Sequence, residues 1–273
     1  IKGIVDGKEL DMRVSSLPTN EGEKVVVRLL DYSSSLEGLE TLGFTANNLK
    51  KVKRMLDIPN GIILVTGATG TGKSTTTYSM LQELNTEDRN IITVEDPVEM
   101  NIEGINQVQV NSEIGLTFAS ALRSILRQDP NIILIGEIRD SETAQIAVRA
   151  AITGHLVLST IHTNNSLSTI ERLLDMNVER YLLSTSLNGI ISQKLARTLC
   201  PDCKKLRPTT NYEKQLFKRI IGKDVEQVYE PVGCEKCNGG FRGRIALQEV
   251  LVITDRLREI ITVVSLDKEV LRQ

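Results

Sequence analysis

Eight residues, Gly67-Ala68-Thr69-Gly70-Thr71-Gly72-Lys73-Ser74, match the pattern G-x-x-x-x-G-K-[ST]. The chemistry served by that spacing is the holding of a nucleotide's phosphates. Glycines let the backbone curl so that successive N–H groups converge on one phosphate. The start of a following helix adds partial positive charge. A lysine neutralises the β- and γ-phosphates, and a serine hydroxyl ligates Mg²⁺. Gly67, Thr69, Gly70, Thr71, Gly72, Lys73, Ser74 and Thr75 are therefore the expected nucleotide contacts, with Ser74 the expected Mg²⁺ ligand. A Gly/Thr-rich turn without a ligand is the alternative. The position of the match, after an apolar strand pattern and before a helical one, argues against it.

A nucleotide hydrolase also needs a carboxylate that positions or deprotonates water. Glu137 follows the apolar run 132–136, and Glu95 and Asp96 follow 91–94, with Glu99 next. Ligands of open α/β sheets bind outside the carboxyl ends of the strands, which puts both groups where a triphosphate would lie. Glu137 is the better candidate base. Gly136 stands where the second acidic motif of such enzymes carries Asp, so water, or Glu95 and Asp96, would complete the metal shell. The alternative for Glu137 and Asp140 is a solvated ion-pair cluster with Arg139. Arg13 and Arg28 fall in expected strands, and Arg123 and Arg127 share a helix face. Spacing alone reads all four equally well as surface arginines with stems on apolar surface. His155 and His162 flank an expected strand on opposite faces, which argues against a shared metal. Either one reads as a γ-phosphate contact or as a structural histidine.

The four cysteines form two C-x-x-C pairs, Cys200/Cys203 and Cys234/Cys237, with 30 residues (204–233) between them. Two such knuckles complete a tetrahedron for structural Zn²⁺. The gap is longer than in common zinc ribbons, so an inserted segment must loop out. Buried free cysteines or a thiol redox pair are the alternatives. Residues 197–244 hold 11 Lys/Arg against 6 Asp/Glu, a local charge of +5 that suits acidic lipid, a protein partner or nucleic acid.

The elements that must position these groups alternate. Short apolar strands are expected at 62–66, 91–95, 132–136 and 156–161, with helices near 73–84, 117–128 and 141–153. This alternation predicts an α/β fold with a mostly parallel sheet covered on both faces. Helices are expected to continue to about residue 199. Residues 1–31 read as β structure, with an Asp6-Gly7 hairpin signal and loop punctuation at Leu17-Pro18 and Glu21-Gly22. Residues 36–43 read as a linker or short helix, and Thr45 as the cap of a helix ended by Pro59-Asn60-Gly61.

Over 273 residues, 40% are apolar and 25% charged, which excludes disorder and collagen-like structure. Apolar runs of four residues are too short to span a bilayer. A net charge of −2, aromatics at 3% and no Trp argue against a dedicated nucleic-acid binder. With no leader at its start and paired rather than scattered cysteines, the chain is placed in the cytoplasm. It begins at Ile1 rather than Met, so it is expected to be a fragment.

The phosphate loop, Thr93-Val94-Glu95-Asp96-Pro97-Val98-Glu99, Leu126-Arg127-Gln128-Asp129-Pro130, Ile135-Gly136-Glu137-Ile138-Arg139-Asp140 and the segment from Gly154 to Asn164 occur in this order. Together they resemble the bacterial secretion-superfamily hexameric ATPases, in the branch of type II secretion and type IV pilus assembly. There the segments are called Walker A, Asp box, atypical Walker B and His box. The resemblance implies a PAS-like N-terminal subdomain at 1–36, a linker and first helix at 37–60, and a RecA-like P-loop ATPase domain at 61–273. The metal-binding insertion would occupy 197–244. It implies ATP with Mg²⁺ as ligand, Glu137 as base with Glu95 assisting, Arg13 and Arg28 reaching the nucleotide from the N-terminal side, and His162 near the γ-phosphate. Cys200, Cys203, Cys234 and Cys237 resemble the tetracysteine motif of assembly and secretion members, which disfavours a retraction motor.

The implied partners are copies of the chain in a hexamer and an inner-membrane platform protein. Membrane contact would come only through partners, peripheral to the inner membrane, and no nucleic acid is expected. Asn131 stands where the family has Asp. The family's upstream docking domains are not in this sequence, and the ending is expected to lack residues near 262–265. The competing readings are a RecA-like DNA-translocating or conjugation ATPase, and a nucleotide-binding scaffold of the platform with negligible turnover.

Overall fold

The computed structural model describes residues 2–5, 8–31 and 38–263. The Asp6-Gly7 turn, the first residues of the 36–43 linker and the segment beyond 263 lie outside the described residues.

The chain opens with β1 (Lys2–Val5), β2 (Lys8–Thr19) and β3 (Gly22–Asp31), an antiparallel sheet in that order. Leu17 and Pro18 belong to β2, paired with Lys24 and Glu23, so the loop expected at 17–22 contracts to a turn at Asn20-Glu21. The reason is the unbroken antiparallel register, which runs from Leu10↔Asp31 to Thr19↔Gly22.

Thr45 caps α1 (Ala46–Leu56), its hydroxyl accepting from the Asn48 amide at 3.2 Å. The alternating region then follows: β4 (Gly61–Thr66), α2 (Lys73–Leu84), β5 (Ile91–Glu95), β6 (Asn106–Gln109), α3 (Phe118–Ile125), β7 (Ile132–Ile135), α4 (Ser141–Ile152), β8 (Leu156–Ile161), α5 (Ser166–Asp175) and α6 (Arg180–Ser186). It closes with β9 (Leu187–Leu199), β10 (Lys205–Pro208), α7 (Asn211–Ile221), β11 (Gln227–Glu230), β12 (Phe241–Val252) and α8 (Asp255–Val263).

Seven strands form one sheet in the order β12-β9-β4-β8-β7-β5-β6, parallel except for β12. Alternate side chains feed two cores. Ile62, Leu64, Ile133, Ile135 and Val157 pack on one face with Leu122 and Val148 of α3 and α4. Ile63, Val65, Ile132, Leu134 and Leu158 pack on the other with Met55 of α1 and Leu81 of α2. A sheet covered on both faces needs strands that are apolar at every position. β4, β7 and β8 are buried throughout.

The helices expected to reach residue 199 stop at Ser186, and 187–199 is the long strand β9. Ile190 and Ile191 enter opposite cores, as only an extended chain allows, and the free edge of β4 supplies the partner. The polar edge strand β6 and the two-stranded β10/β11 sheet within the cysteine region were not anticipated. Among the described residues no helix is long and apolar enough to cross a membrane.

Candidate functional site

β4 ends fully buried at Thr66, and the chain turns through 67–72 into α2, whose first residue is Lys73. Gly67, Gly70 and Gly72 take φ of +150°, +78° and +87°, so the loop uses conformations that favour glycine. Thr69, Gly70 and Thr75 are exposed, while Thr71, Gly72 and Ser74 are half-buried. Lys73 is buried, and its Nζ donates to the carbonyls of Gly67 at 2.9 Å and Ala68 at 3.0 Å. Burial lowers the lysine's affinity for its proton, and the charge of Glu137 partly offsets this. No carboxylate of the described residues forms an ion pair with Lys73. A buried ammonium held by neutral carbonyls is a cation without a counter-anion, which fits a phosphate ligand.

Glu137 follows β7 and is largely buried. One of its carboxylate oxygens pairs with the Arg139 guanidinium, and the other lies 3.5 Å from His162 Nε2. Arg139 also reaches Asp96 at 3.7 Å. The carboxyl ends of β5, β7 and β8 thus bring Asp96, Glu137, Arg139 and His162 into one cluster. The segment is held from β8: Ser159 Oγ donates to the Ile135 carbonyl and Thr160 Oγ1 to the Gly136 carbonyl, both at 2.7 Å. At Gly136, which stands where the usual acidic motif carries Asp, a Cβ would lie 3.3 Å from both Glu95 Cα and the Val94 carbonyl. That contact is tight and favours glycine.

Glu95 is buried on the α2 side of the sheet, and its carboxylate already accepts from three donors. These are Tyr78 Oη, Thr93 Oγ1 at 2.5 Å and Gln107 Nε2 at 3.1 Å. Burial first, and then the bond to Glu95, hold the Tyr78 phenol well above its ordinary pKa. Tyr78 Oη accepts from the Glu99 amide at 3.2 Å, and Gln107 Nε2 donates to the Met100 carbonyl at 3.0 Å. Glu95 is the hub of a network that fixes the loop carrying Asp96 and Glu99.

Other polar residues have local partners. Asp140 caps α4 through the Thr143 amide at 2.8 Å. His155 Nδ1 contacts the Ala150 carbonyl at 2.8 Å, the structural alternative. Arg123 pairs with Glu142, and Arg127 donates to the Arg123 carbonyl at 2.8 Å. Asn131 Oδ1 accepts from the Asn90 amide at 2.7 Å, which an Asp carboxylate could do equally well. Arg28 is exposed on β3, with Arg13 its register partner on β2. Spacing did not single out Arg139, Tyr78 or Gln107 as site residues. Their common signal is position beside the expected acidic groups.

The four cysteines converge, with all Sγ atoms within 4.8 Å of one another. Pair distances are 4.0 Å for Cys200–Cys234, 3.7 Å for Cys203–Cys237 and 3.6 Å for Cys234–Cys237. A tetrahedron with metal–sulfur distances of about 2.3 Å has edges of about 3.8 Å, so the set fits one Zn²⁺. The separations are far beyond a disulfide of about 2.05 Å. Burial opposes ionisation of Cys237, yet donation from the Cys234 and Gly240 amides and neighbouring thiols brings it down to about 7.

The family model described as Type II/IV secretion system protein matches residues 1–273. The type II secretion system ATPase E of Vibrio cholerae serotype O1 is 51% identical over 258 residues, 94% of this chain and 51% of that protein. The type IV pilus assembly ATPase PilB of Myxococcus xanthus is 55% identical over 260 residues, 93% of this chain and 46% of that protein. The crystal structure of the pilus retraction motor PilT with bound ADP matches with a TM-score of 0.69 at 31% identity, covering 96% of this chain and 65% of that one. The chain spans about half the length of the curated relatives it matches.

Proposed function

The chain belongs to the Type II/IV secretion system protein family, and on that premise we propose that it is the ATP-hydrolysing motor segment of a machine that assembles a type IV pilus or a type II secretion pseudopilus. The observation that carries this reading is the approach of two strand ends. The β4 loop delivers the buried Lys73, held by the Gly67 and Ala68 carbonyls, and β7, separated from β4 only by β8 in the same parallel sheet, delivers Glu137 from the same end. One element binds phosphate, and the other offers a base to a water beside it.

In this reading the loop N–H groups and Lys73 hold the phosphates of ATP. Ser74 holds Mg²⁺, which supplies charge neutralisation when bound. Glu137 accepts a proton from water once Arg139 releases it, and His162 lies beside the same carboxylate. Glu95 keeps the loop of Asp96 and Glu99 in place. Arg13 and Arg28, opposite one another across β2 and β3, act from an N-terminal unit of residues 1–36 on the nucleotide bound by residues 61–273. Copies of the chain form a ring, a hexamer, at the cytoplasmic face of the inner membrane. It acts on a platform protein there, without nucleic acid and touching the membrane only through partners. Structural Zn²⁺ fills the tetracysteine set.

The test is steady-state Mg-ATPase activity against protein concentration without DNA. Specific activity is expected to rise with concentration as sites are completed between copies. Glu137→Gln is expected to bind ATP yet lose turnover by orders of magnitude. Wild-type-like turnover in that variant would remove Glu137 from its role. Absence of activity at every concentration would favour a scaffold.

A further inference from the structure

Gln193 lies on β9, one residue beyond Ser192, the register partner of Thr66. It is therefore level with the first residue of the phosphate loop. Its side chain is 3% exposed, and every polar atom on it is used. Oε1 accepts from Thr76 Oγ1 in the first turn of α2 at 2.8 Å, and Nε2 donates to the Thr71 carbonyl at 2.6 Å. The same residue bounds the loop at both ends. A Cβ on Gly67 would lie 2.4 Å from the Gln193 carbonyl, and one on Gly72 would lie 2.9 Å from its Nε2. Among the described residues, the loop's other side-chain hydrogen bonds are internal, from Thr71 Oγ1 and Lys73 Nζ to its own carbonyls.

A trans peptide holds its C=O and the following N–H in one plane, pointing in opposite directions. Drawing the Thr71 carbonyl toward Gln193 therefore turns the Gly72 N–H away from β9. Without that bond the Thr71–Gly72 peptide is freer to rotate, because glycine at 72 tolerates either orientation. Resting on the phosphate-binding reading above, we propose that Gln193 is a positioning residue that sets the Thr71–Gly72 peptide so that the Gly72 N–H donates to a bound phosphate. Thr76 orients the amide by fixing its oxygen, so that nitrogen, the only donor, faces the carbonyl. Gln193 touches no reacting atom and acts only through the loop.

The probe is mant-ADP with Mg²⁺ on the full 273-residue chain, wild type against Gln193→Met, Thr76→Val and the double variant. Met keeps the length and volume of Gln without its hydrogen bonds. Loss of one hydrogen bond to a charged phosphate is expected to weaken binding about tenfold or more in Gln193→Met. Thr76→Val is expected to lose less, and the double variant no more than Gln193→Met alone, since Thr76 acts through Gln193. In turnover, KM is expected to rise while kcat changes little. A merely structural role would instead lower the melting temperature and kcat together, at unchanged affinity. Should Gln193→Met not fold, Gln193→Glu replaces it. Glu keeps the acceptor for Thr76 but sets a carboxylate against the Thr71 carbonyl, with at least the same loss expected. Variants within twofold of wild type, or additive losses in the double variant, overturn the inference alone. A wild-type chain that binds no mant-ADP overturns the phosphate-binding reading and the inference with it.

Discussion

With structural Zn²⁺ in the tetracysteine set as proposed, its removal by a strong chelator or by Cys203→Ser is expected to unfold 204–233 and leave the seven-stranded sheet intact. The set closes a loop of 30 residues (204–233). A cross-link over that span removes about 4 kcal/mol of chain entropy from the open state. Little inside the segment replaces this. No residue of α7 is buried, and Tyr212 and Ile220 are 72% and 67% exposed. β10 and β11 pair over only four residues each, and an isolated two-stranded sheet or 11-residue helix is marginal in water. The best polar contact is Arg207, which forks onto Glu213 at 2.7 and 2.8 Å and reaches Glu230 at 3.1 Å. Partly exposed pairs of this kind contribute little, because solvent screens them. The deficit left by metal loss, about 4 kcal/mol, corresponds to roughly a thousandfold fall in protection. Hydrogen exchange read by mass spectrometry tests this peptide by peptide. Peptides covering 205–230 should lose protection by that factor, while those in β4 and β8 keep theirs. Protection in α7 that falls less than tenfold, or a loss spread evenly through the sheet, would refute the reasoning.

Two further substitutions separate causes within the proposed nucleotide site. Gly67→Ala places a Cβ 2.4 Å from a backbone oxygen of β9, whereas Gly70→Ala meets nothing within 4 Å and bears only the strain of φ +78°. Denaturant unfolding should show Gly70→Ala costing about 1 kcal/mol and Gly67→Ala clearly more; equal losses would contradict the clash. Tyr78→Phe removes a donor from buried Glu95 and an acceptor from the Glu99 amide. The expected cost is about 1.5–3 kcal/mol, with faster amide exchange in 96–102; a stability change under about 0.5 kcal/mol would show that the network is dispensable.

The parallel sheet was legible because its central strands are short, buried and mostly apolar runs. β5 and β8 fall on the expected residues, and β4 and β7 within one residue of them. α2 likewise matches, since the phosphate-loop pattern fixes where a helix must start. β9 was not legible. Its Leu187–Ile191 half carries the same apolar signal as a buried helix, and only the vacant edge of β4 decides between them. β6 was missed for the opposite reason: Asn106, Gln107 and Gln109 make a polar edge whose only apolar residue is Val108. The same limit applies to side chains. Glu95 and Glu137 look alike in sequence, each closing an apolar run. Yet Glu95 turns toward Tyr78 and Gln107 on the α2 side, while Glu137 turns toward His162 and Arg139. Strand order and pleat determine that difference, and neither is local. The cysteine spacing was legible because x₂ knuckles carry their geometry with them.

β4 lies between β9 and β8, and these two neighbouring strands hold different groups. On the β9 side, Gln193 bonds the loop itself. On the β8 side, Thr160 bonds the carbonyl of Gly136, directly before Glu137, and the Thr160 carbonyl accepts from the Ile138 amide at 2.9 Å. The segment bearing Glu137 is thereby clamped before and after the carboxylate. Thr160→Val removes the 2.7 Å hydroxyl contact while keeping the β-branched shape that suits a strand. Global stability should fall by only about 1 kcal/mol. The carboxylate, freed to swing, should lose catalytic alignment, and misplacement of a reacting group by about 1 Å costs up to roughly 10²-fold. The expected signature is a fall in kcat at unchanged mant-ADP affinity, the reverse of the Gln193 variants, in which affinity falls and kcat holds. The two can be measured on the same preparations. If Thr160→Val weakens nucleotide binding as much as Gln193→Met does, the two sides of β4 are not separable, and phosphate grip and base placement are one mechanical unit.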